Sequence, residues 1–241
     1  PTIDYAYFTG AEGLAHFFKS GTDPRNNPVV ATTYDADGRL ETVRDANNNI
    51  TTYVYDVANY TTTVINPDTT QITMTYDEWG NLTQEIDELG RTNVYSYDGN
   101  NNLRYSCNPE IAPQDCNENN FTTAYTYDAQ GNRNSVINTE GTTIISASYN
   151  NYGSPEQLTD ANGVTRTISY HLNGLPSTAG DSLGTLGSYL WDDHGSPEVV
   201  CDASINGTCS TTNFTTQYVY DVYGNVQYMC DSRIDTSIDA C

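Results

Sequence analysis

No long hydrophobic run occurs anywhere in the 241 residues, and only 37% of them are hydrophobic. No stretch is long and apolar enough to span a bilayer. The continuous Leu/Val/Ile segments that fill a helical or parallel-sheet core are missing as well. Positive charge is scarce: Lys19 is the only lysine, and 9 Lys and Arg face 31 Asp and Glu, for a net charge of −22. Such a surface repels phosphate backbones and anionic lipid, which excludes nucleic acid and membrane insertion as partners. Histidine is equally thin. His16, His171 and His194 are scattered, and none recruits a nucleophile, so the chain is expected not to be an enzyme. Neither a signal peptide nor an initiator Met precedes Pro1, which reads as a processed chain or a slice of something longer.

Tyrosine is plentiful, with 20 residues, and it is evenly spaced. Taking the Tyr of each Tyr-Asp as position zero gives Tyr7, Tyr34, Tyr55, Tyr76, Tyr97, Tyr127, Tyr149, Tyr170, Trp191 and Tyr220. The interval is about 21 residues, with longer gaps after Tyr7, Tyr97 and Trp191, and a period of that size marks a repeat architecture. From Tyr34 onward, position +1 is Asp except at Asn150 and His171, position +4 is Gly or Asn, and position +11 is Asp or Asn. Gly and Asn tolerate positive φ, so the +4 row reads as one left-handed turn position in every unit. The short polar side chain at +11 starts a second turn.

Two turns per unit leave two strand-length segments. In TTYVYD, Tyr53 and Tyr55 share one face while Thr52 and Val54 take the other. The expected fold is all-β: tandem β-hairpins held together by a ladder of Tyr rings in edge-to-face or offset contact, about 0.5–1.5 kcal/mol per pair. One hairpin is marginal in water, so the units must stack. Residues 1–241 read as a single continuous array, with residues 1–33 an atypical first repeat carrying an insertion.

The strings YDADGRL from Tyr34, YDEWGNL from Tyr76, YDAQGNR from Tyr127 and YDVYGNV from Tyr220 resemble the YD-repeat (Rhs-repeat) family. That family is known from bacterial Rhs and toxin-complex shells and from teneurins. The resemblance implies a sheet of hairpins wound into a spiral, tube or shell around a cavity, and it implies no chemistry.

Six cysteines follow the same phase. Cys107, Cys201 and Cys230 stand at position +10, while Cys116 and Cys209 each lie 11 residues before the next repeat Tyr. The inserted material therefore falls between cysteines. Local disulfides Cys107–Cys116, Cys201–Cys209 and Cys230–Cys241 are expected, clamping loops 107–116, 201–209 and 230–241. Loops of this length contribute roughly 2–3 kcal/mol each. Zinc does not suit this spacing, and disulfides point to an extracellular or cell-surface location.

Other features carry weaker readings. N-x-S/T sequons at Asn49, Asn59, Asn81, Asn120, Asn206 and Asn213 are candidate glycosylation sites. No cofactor is expected. The Asp-rich turns at Asp35 and Asp192 offer oxygen ligands for Ca²⁺ but complete no loop motif. The chain opens on a strand with Tyr5 and Tyr7 paired and closes at Cys241 after an outgoing strand, so both ends are out of phase. Either the partners are further repeats of the same polypeptide, or copies of the chain complete one another head to tail. The function expected first is an extracellular structural wall, filament or tube. A section of a toxin-encapsulating shell and a glycan- or receptor-binding adhesin are the alternatives.

Overall fold

A computed structural model describes residues 2–10, 13–205 and 207–231. They form twenty β-strands, from β1 (Asp4–Tyr7) to β20 (Val226–Asp231), which pair antiparallel with strands next to them in the chain. A short 3-10 turn occupies Pro113–Asp115. The chain divides into two compact units, Pro1–Ala124 and Tyr125–Cys241.

In the first unit, β3 (Pro28–Tyr34), β4 (Leu40–Asp45) and β5 (Ile50–Asp56) show the repeat in full. The first turn joins β3 to β4 and the second joins β4 to β5. Thr33 lies opposite Thr42, and the register then slips so that Tyr34 faces Leu40. The slip leaves Glu41 as the extra residue on β4, and Gly38, in the turn just before it, has φ 78°. That conformation strains any residue with a Cβ, which is why Gly or Asn recurs here. The same slip recurs between β7 (Gln71–Tyr76) and β8 (Leu82–Ile86), with Gly80 at φ 86°. Between β9 (Thr92–Tyr97) and β10 (Leu103–Cys107) the residue is Asn101, at φ 64°.

One unit departs from the expected row. In the turn after β5 the left-handed residue is Tyr60, at φ 52°, and not Asn59. The side chain of Asn59 is drawn back onto Asp56, with Nδ2 donating to Oδ2 at 2.6 Å. The turn therefore closes one residue later, and β6 (Thr61–Ile65) pairs with β5 without a slip.

The longer first turn of the opening repeat folds over its neighbour. Phe8 and Phe17 meet the Tyr34 ring edge-on at 5.9 and 5.0 Å. Phe17 also lies 3.6 Å from where a side chain on Gly38 would begin.

The second unit repeats the scheme through β13 (Thr143–Tyr149), β14 (Pro155–Asp160), β15 (Thr165–Tyr170), β16 (Pro176–Asp181), β17 (Gly184–Trp191), β18 (Pro197–Asp202), β19 (Thr216–Tyr220) and β20. Register slips fall at Tyr149, Tyr170, Trp191 and Tyr220. Pro155, Pro176 and Pro197 each open an outgoing strand, a place that tolerates a missing N–H.

The apolar core is small. Among the described residues only Cys107, Val136, Val199, Cys201, Phe214 and Cys230 are buried hydrophobics. Val199, Cys201, Phe214 and Cys230 form one cluster, with Leu190, Ile205 and Cys209 against it. Most strand residues are half-buried, so backbone pairing carries much of the order.

Thr69 holds φ 72° in the second turn before β7, where a β-branched residue costs about 1–2 kcal/mol. Thr69→Gly is expected to raise the midpoint of denaturant unfolding by a stability gain of about 1 kcal/mol. An unchanged or lower midpoint contradicts this account of the turn.

Candidate functional site

The structure's recurring device is a turn locked by one carboxylate. At Asp35 the backbone N–H donates to Arg39 O at 2.9 Å, and Gly38 N donates back to Asp35 O at 3.1 Å. The side chain then adds three bonds. Asp35 Oδ1 accepts from Asp37 N at 3.0 Å and Arg39 N at 2.9 Å, while Oδ2 accepts from Arg39 Nε at 2.7 Å. Asp77, Asp98, Asp128 and Asp221 repeat this set, with Asn81, Asn102, Asn132 and Asn225 supplying a side-chain Nδ2 in place of the guanidinium. Asn150 fills the slot with its amide oxygen, accepting from Tyr152 N and Ser154 N. The second turn uses the same chemistry at Asp45, Asp87, Asn138 and Asp160. Both turns of the repeat therefore share one motif, Asp or Asn whose side-chain oxygen takes the N–H four residues on, often with Asn or Arg at that place. The partner at position +5 was the signal available in the sequence.

These bonds favour the charged carboxylate. The Asn49, Arg91 and Asn132 side chains hold Asp45, Asp87 and Asp128 below the ordinary Asp value, helped by backbone N–H groups. At Asp98 and Asp221 the backbone N–H of Asn102 and of Asn225 leads.

The repeat tyrosines lock neighbouring units in a different way from the expected ring ladder. Tyr55 donates its hydroxyl to Leu40 O at 2.8 Å, and Tyr97 to Leu82 O at 2.9 Å. Tyr149, Tyr170 and Tyr220 donate to Arg133, Pro155 and Pro197 O at 2.8, 2.7 and 2.9 Å. Each acceptor is position +6 of the preceding repeat. Trp191 does the same through Nε1, reaching Pro176 O at 2.6 Å. An indole thus substitutes for a phenol because both carry a donor at the far end of a flat ring. Burial, with the Glu156 charge behind it, raises the Tyr170 hydroxyl above the ordinary phenol value. Arg39 adds its guanidinium 4.7 Å from the Tyr55 ring centre. In the Tyr60 unit, Tyr76 turns its hydroxyl to Met74 Sδ at 3.5 Å. Tyr7 meets Phe18 edge-on at 6.1 Å, so ring contacts gather at the amino end. Tyr127 is half-buried in β11 (Thr123–Tyr127).

Two enlarged second turns are closed by Cys107–Cys116 and Cys201–Cys209, with Cα separations of 5.9 and 5.8 Å. The Cys230–Cys241 pairing falls on Cys241, outside the described residues. Both loops continue the same way, as CNENNFTT from Cys116 and CSTTNFTT from Cys209. In each, a tight turn pairs Asn117 with Asn120 or Ser210 with Asn213. Thr122 and Thr215 Oγ1 then accept from Asn108 N and Asp202 N, both at 2.9 Å. This duplicated module was readable from the shared NFTT string.

The sequon asparagines are employed in turns. Nδ2 of Asn49, Asn59 and Asn81 donates to Asp45, Asp56 and Asp77. Asn120 and Asn213 donate to Asp115 O and Thr208 O, both at 3.0 Å. Asn206 lies outside the described residues. The carboxylates considered for Ca²⁺ are similarly engaged: Asp192 Oδ1 accepts from His194 N and Ser196 N. Asp37 pairs with Arg39 at 2.9 Å. Among the described residues no group of three or more His, Cys, Asp or Glu gathers for a metal, and no helix is long and apolar enough to cross a membrane.

Carboxylate-clamped hairpins tied by Tyr hydroxyls define a β-hairpin repeat fold. Residues 25–104 match the Teneurin YD-shell family. That match, with the signature running from Tyr34 to Tyr220, is what the chain shares with YD-repeat proteins. The Tc holotoxin pore of Photorhabdus luminescens is similar, at 17% identity and TM-score 0.59, over 84% of this chain and 13% of that one. The TcdB2-TccC3-TEV structure reaches 15% and 0.60, over 95% and 16%. The TcdB2-TccC3-Cdc42 structure reaches 14% and 0.59, over 88% and 15%. The chain thus spans only a small fraction of the chains it resembles. Among curated proteins no sequence matches it.

Two outcomes follow from the clamps and tethers. Tyr170→Phe is expected to lower stability by about 1 kcal/mol in denaturant unfolding, while Tyr152→Phe, at an exposed turn tip, leaves it unchanged; equal effects contradict the tether. The clamped carboxylates have folded pKa values below their unfolded ones. Their stabilisation is therefore complete above the unfolded value, about pH 4, and is lost as pH falls through the lower folded values. Thermal melts should show a flat plateau from pH 7 to about 5 and a decline below about 4. A melting temperature that holds to the acid end of the scan contradicts the clamp.

Proposed function

We propose that this chain is a length of extracellular wall in a YD-repeat shell, with no catalytic role. The observation that carries the reading is the combination of locked register and missing core. A sheet normally dries one face against another layer, yet the described residues bury six apolar side chains and no polar ones. Order comes instead from turn clamps, Tyr tethers and disulfides, which act along the sheet and leave its faces available to line a space or meet other repeats. The disulfides favour an oxidising compartment. A shell section is preferred to a head-to-tail filament because the chains of like fold are several times longer, this one matching 13% to 16% of their length. Further repeats of the same polypeptide are then its neighbours.

The test is electron microscopy of the native material, combined with the mass of the reduced, denatured polypeptide. Hollow closed particles from a polypeptide several times 26.5 kDa support the wall. Filaments assembled from a polypeptide of that mass overturn it in favour of self-assembly. Saturable glycan binding lost with the 107–116 loop turns the reading to an adhesin.

A further inference from the structure

The sequence contains three Asn-Gly pairs, Asn162–Gly163, Asn173–Gly174 and Asn206–Gly207, and the last includes a residue outside the described ones. Asn-Gly is the dipeptide in which a backbone nitrogen most readily reaches the side-chain amide, because glycine leaves that nitrogen unhindered. The two described pairs sit in turns of the same design, with one difference.

Asn162 lies in a clamped turn. Asp160 Oδ1 accepts from Asn162 N at 2.9 Å and from Val164 N at 3.0 Å. Asn173 lies in the one first turn whose clamp position holds a histidine, His171. His171 sends Nε2 to Tyr189 O at 3.0 Å instead. The freed N–H of Leu175 then donates to Asn173 Oδ1 at 3.1 Å. Val164 and Leu175 are equivalent, each two residues beyond the asparagine. The equivalent N–H therefore serves a carboxylate in the Asn162 turn and the asparagine's own amide oxygen in the Asn173 turn. Gly163 N and Gly174 N are matched, each donating across its turn at 2.9 Å, so that restraint cancels in the comparison.

We propose that Asn173–Gly174 is a site of spontaneous deamidation and isoaspartate formation in the folded protein. Gly174 N loses its proton to a solvent base and adds to Cγ of Asn173. Negative charge then develops on Oδ1, where the Leu175 N–H already points, so the intermediate meets a preformed donor. Collapse breaks the Cγ–Nδ2 bond and releases ammonia, leaving a succinimide. Water opens that ring at either carbonyl to give aspartate or isoaspartate. At Asn162 the same N–H is held by Asp160, whose anionic oxygen also opposes a second negative charge beside it. The isoaspartate product adds a methylene to the main chain and breaks the turn spacing. The aspartate product places a carboxylate in a turn whose clamp position lacks one.

The test is peptide mapping of the intact folded protein through incubation at mildly alkaline pH, scoring amide-to-acid conversion at both sites. Conversion at Asn173 is expected several-fold faster than at Asn162. His171→Asp should bring Asn173 down to the Asn162 rate, and Asp160→Ala should raise the Asn162 rate. In denaturant the two rates should converge. Equal rates in the folded protein, no response to His171→Asp, or a difference that persists in denaturant overturns the proposal.

Discussion

Most of these hairpins depend on a side-chain oxygen, usually a carboxylate, taking two backbone N–H groups across a five-residue turn. In Asp98, Oδ1 accepts from Asn100 N at 2.8 Å and Asn102 N at 2.9 Å, while Oδ2 receives Asn102 Nδ2 at 3.1 Å. Those N–H groups point inward at the turn and have no strand partner, so without the side chain they depend on water. The bond set also selects the left-handed conformation at position +4, which fixes how the outgoing strand starts. Register is decisive here, because a slip of one residue would carry every repeat Tyr to the opposite face. A sheet with a deep core punishes that slip through lost burial. With so few buried side chains, this one specifies its register in the turns.

Tyrosine suits a sheet of this kind for a related reason. Val or Leu in its place would give area burial alone, and most strand positions here are too exposed to gain much from it. A tyrosine covers part of the neighbouring backbone with its ring and delivers a donor to a carbonyl at the start of the preceding outgoing strand. The use of Trp191 Nε1 for the same carbonyl position shows that reach and donor matter more than ring chemistry. Proline at Pro155, Pro176 and Pro197 supplies an acceptor without a competing N–H at that place.

The period, the strands and the two turns were legible because they depend on local residue types repeated in phase. The two described disulfides were legible because Cys107 and Cys201 share one repeat position. The ring ladder was misjudged: spacing reveals which residues are neighbours but not whether rings or hydroxyls make the contact. The Asn59 position failed for a similar reason. Asparagine fits both a left-handed backbone and a side-chain clamp, and only the observed bond to Asp56 decides between them. The partner residue at +5 was visible as Asn or Arg in five repeats, at Arg39, Asn81, Asn102, Asn132 and Asn225. Its meaning required knowing that the Asp carboxylate turns back toward it.

The same clamp explains where the repeat admits change. Inserted loops at Cys107–Cys116 and Cys201–Cys209 replace a second turn outright, and each brings its own closure, a disulfide and a threonine hydroxyl for the exposed backbone N–H. The opening repeat enlarges a first turn and covers it with Phe8 and Phe17. His171 replaces the clamp residue itself, and the turn survives because Asn173 takes over one of the two N–H groups. Each departure lies at a hairpin end, while the tethered Tyr positions between the ends keep their pairing. Such a division suits a wall: the strands maintain continuity from unit to unit, and the two edges are free to carry loops without disturbing it.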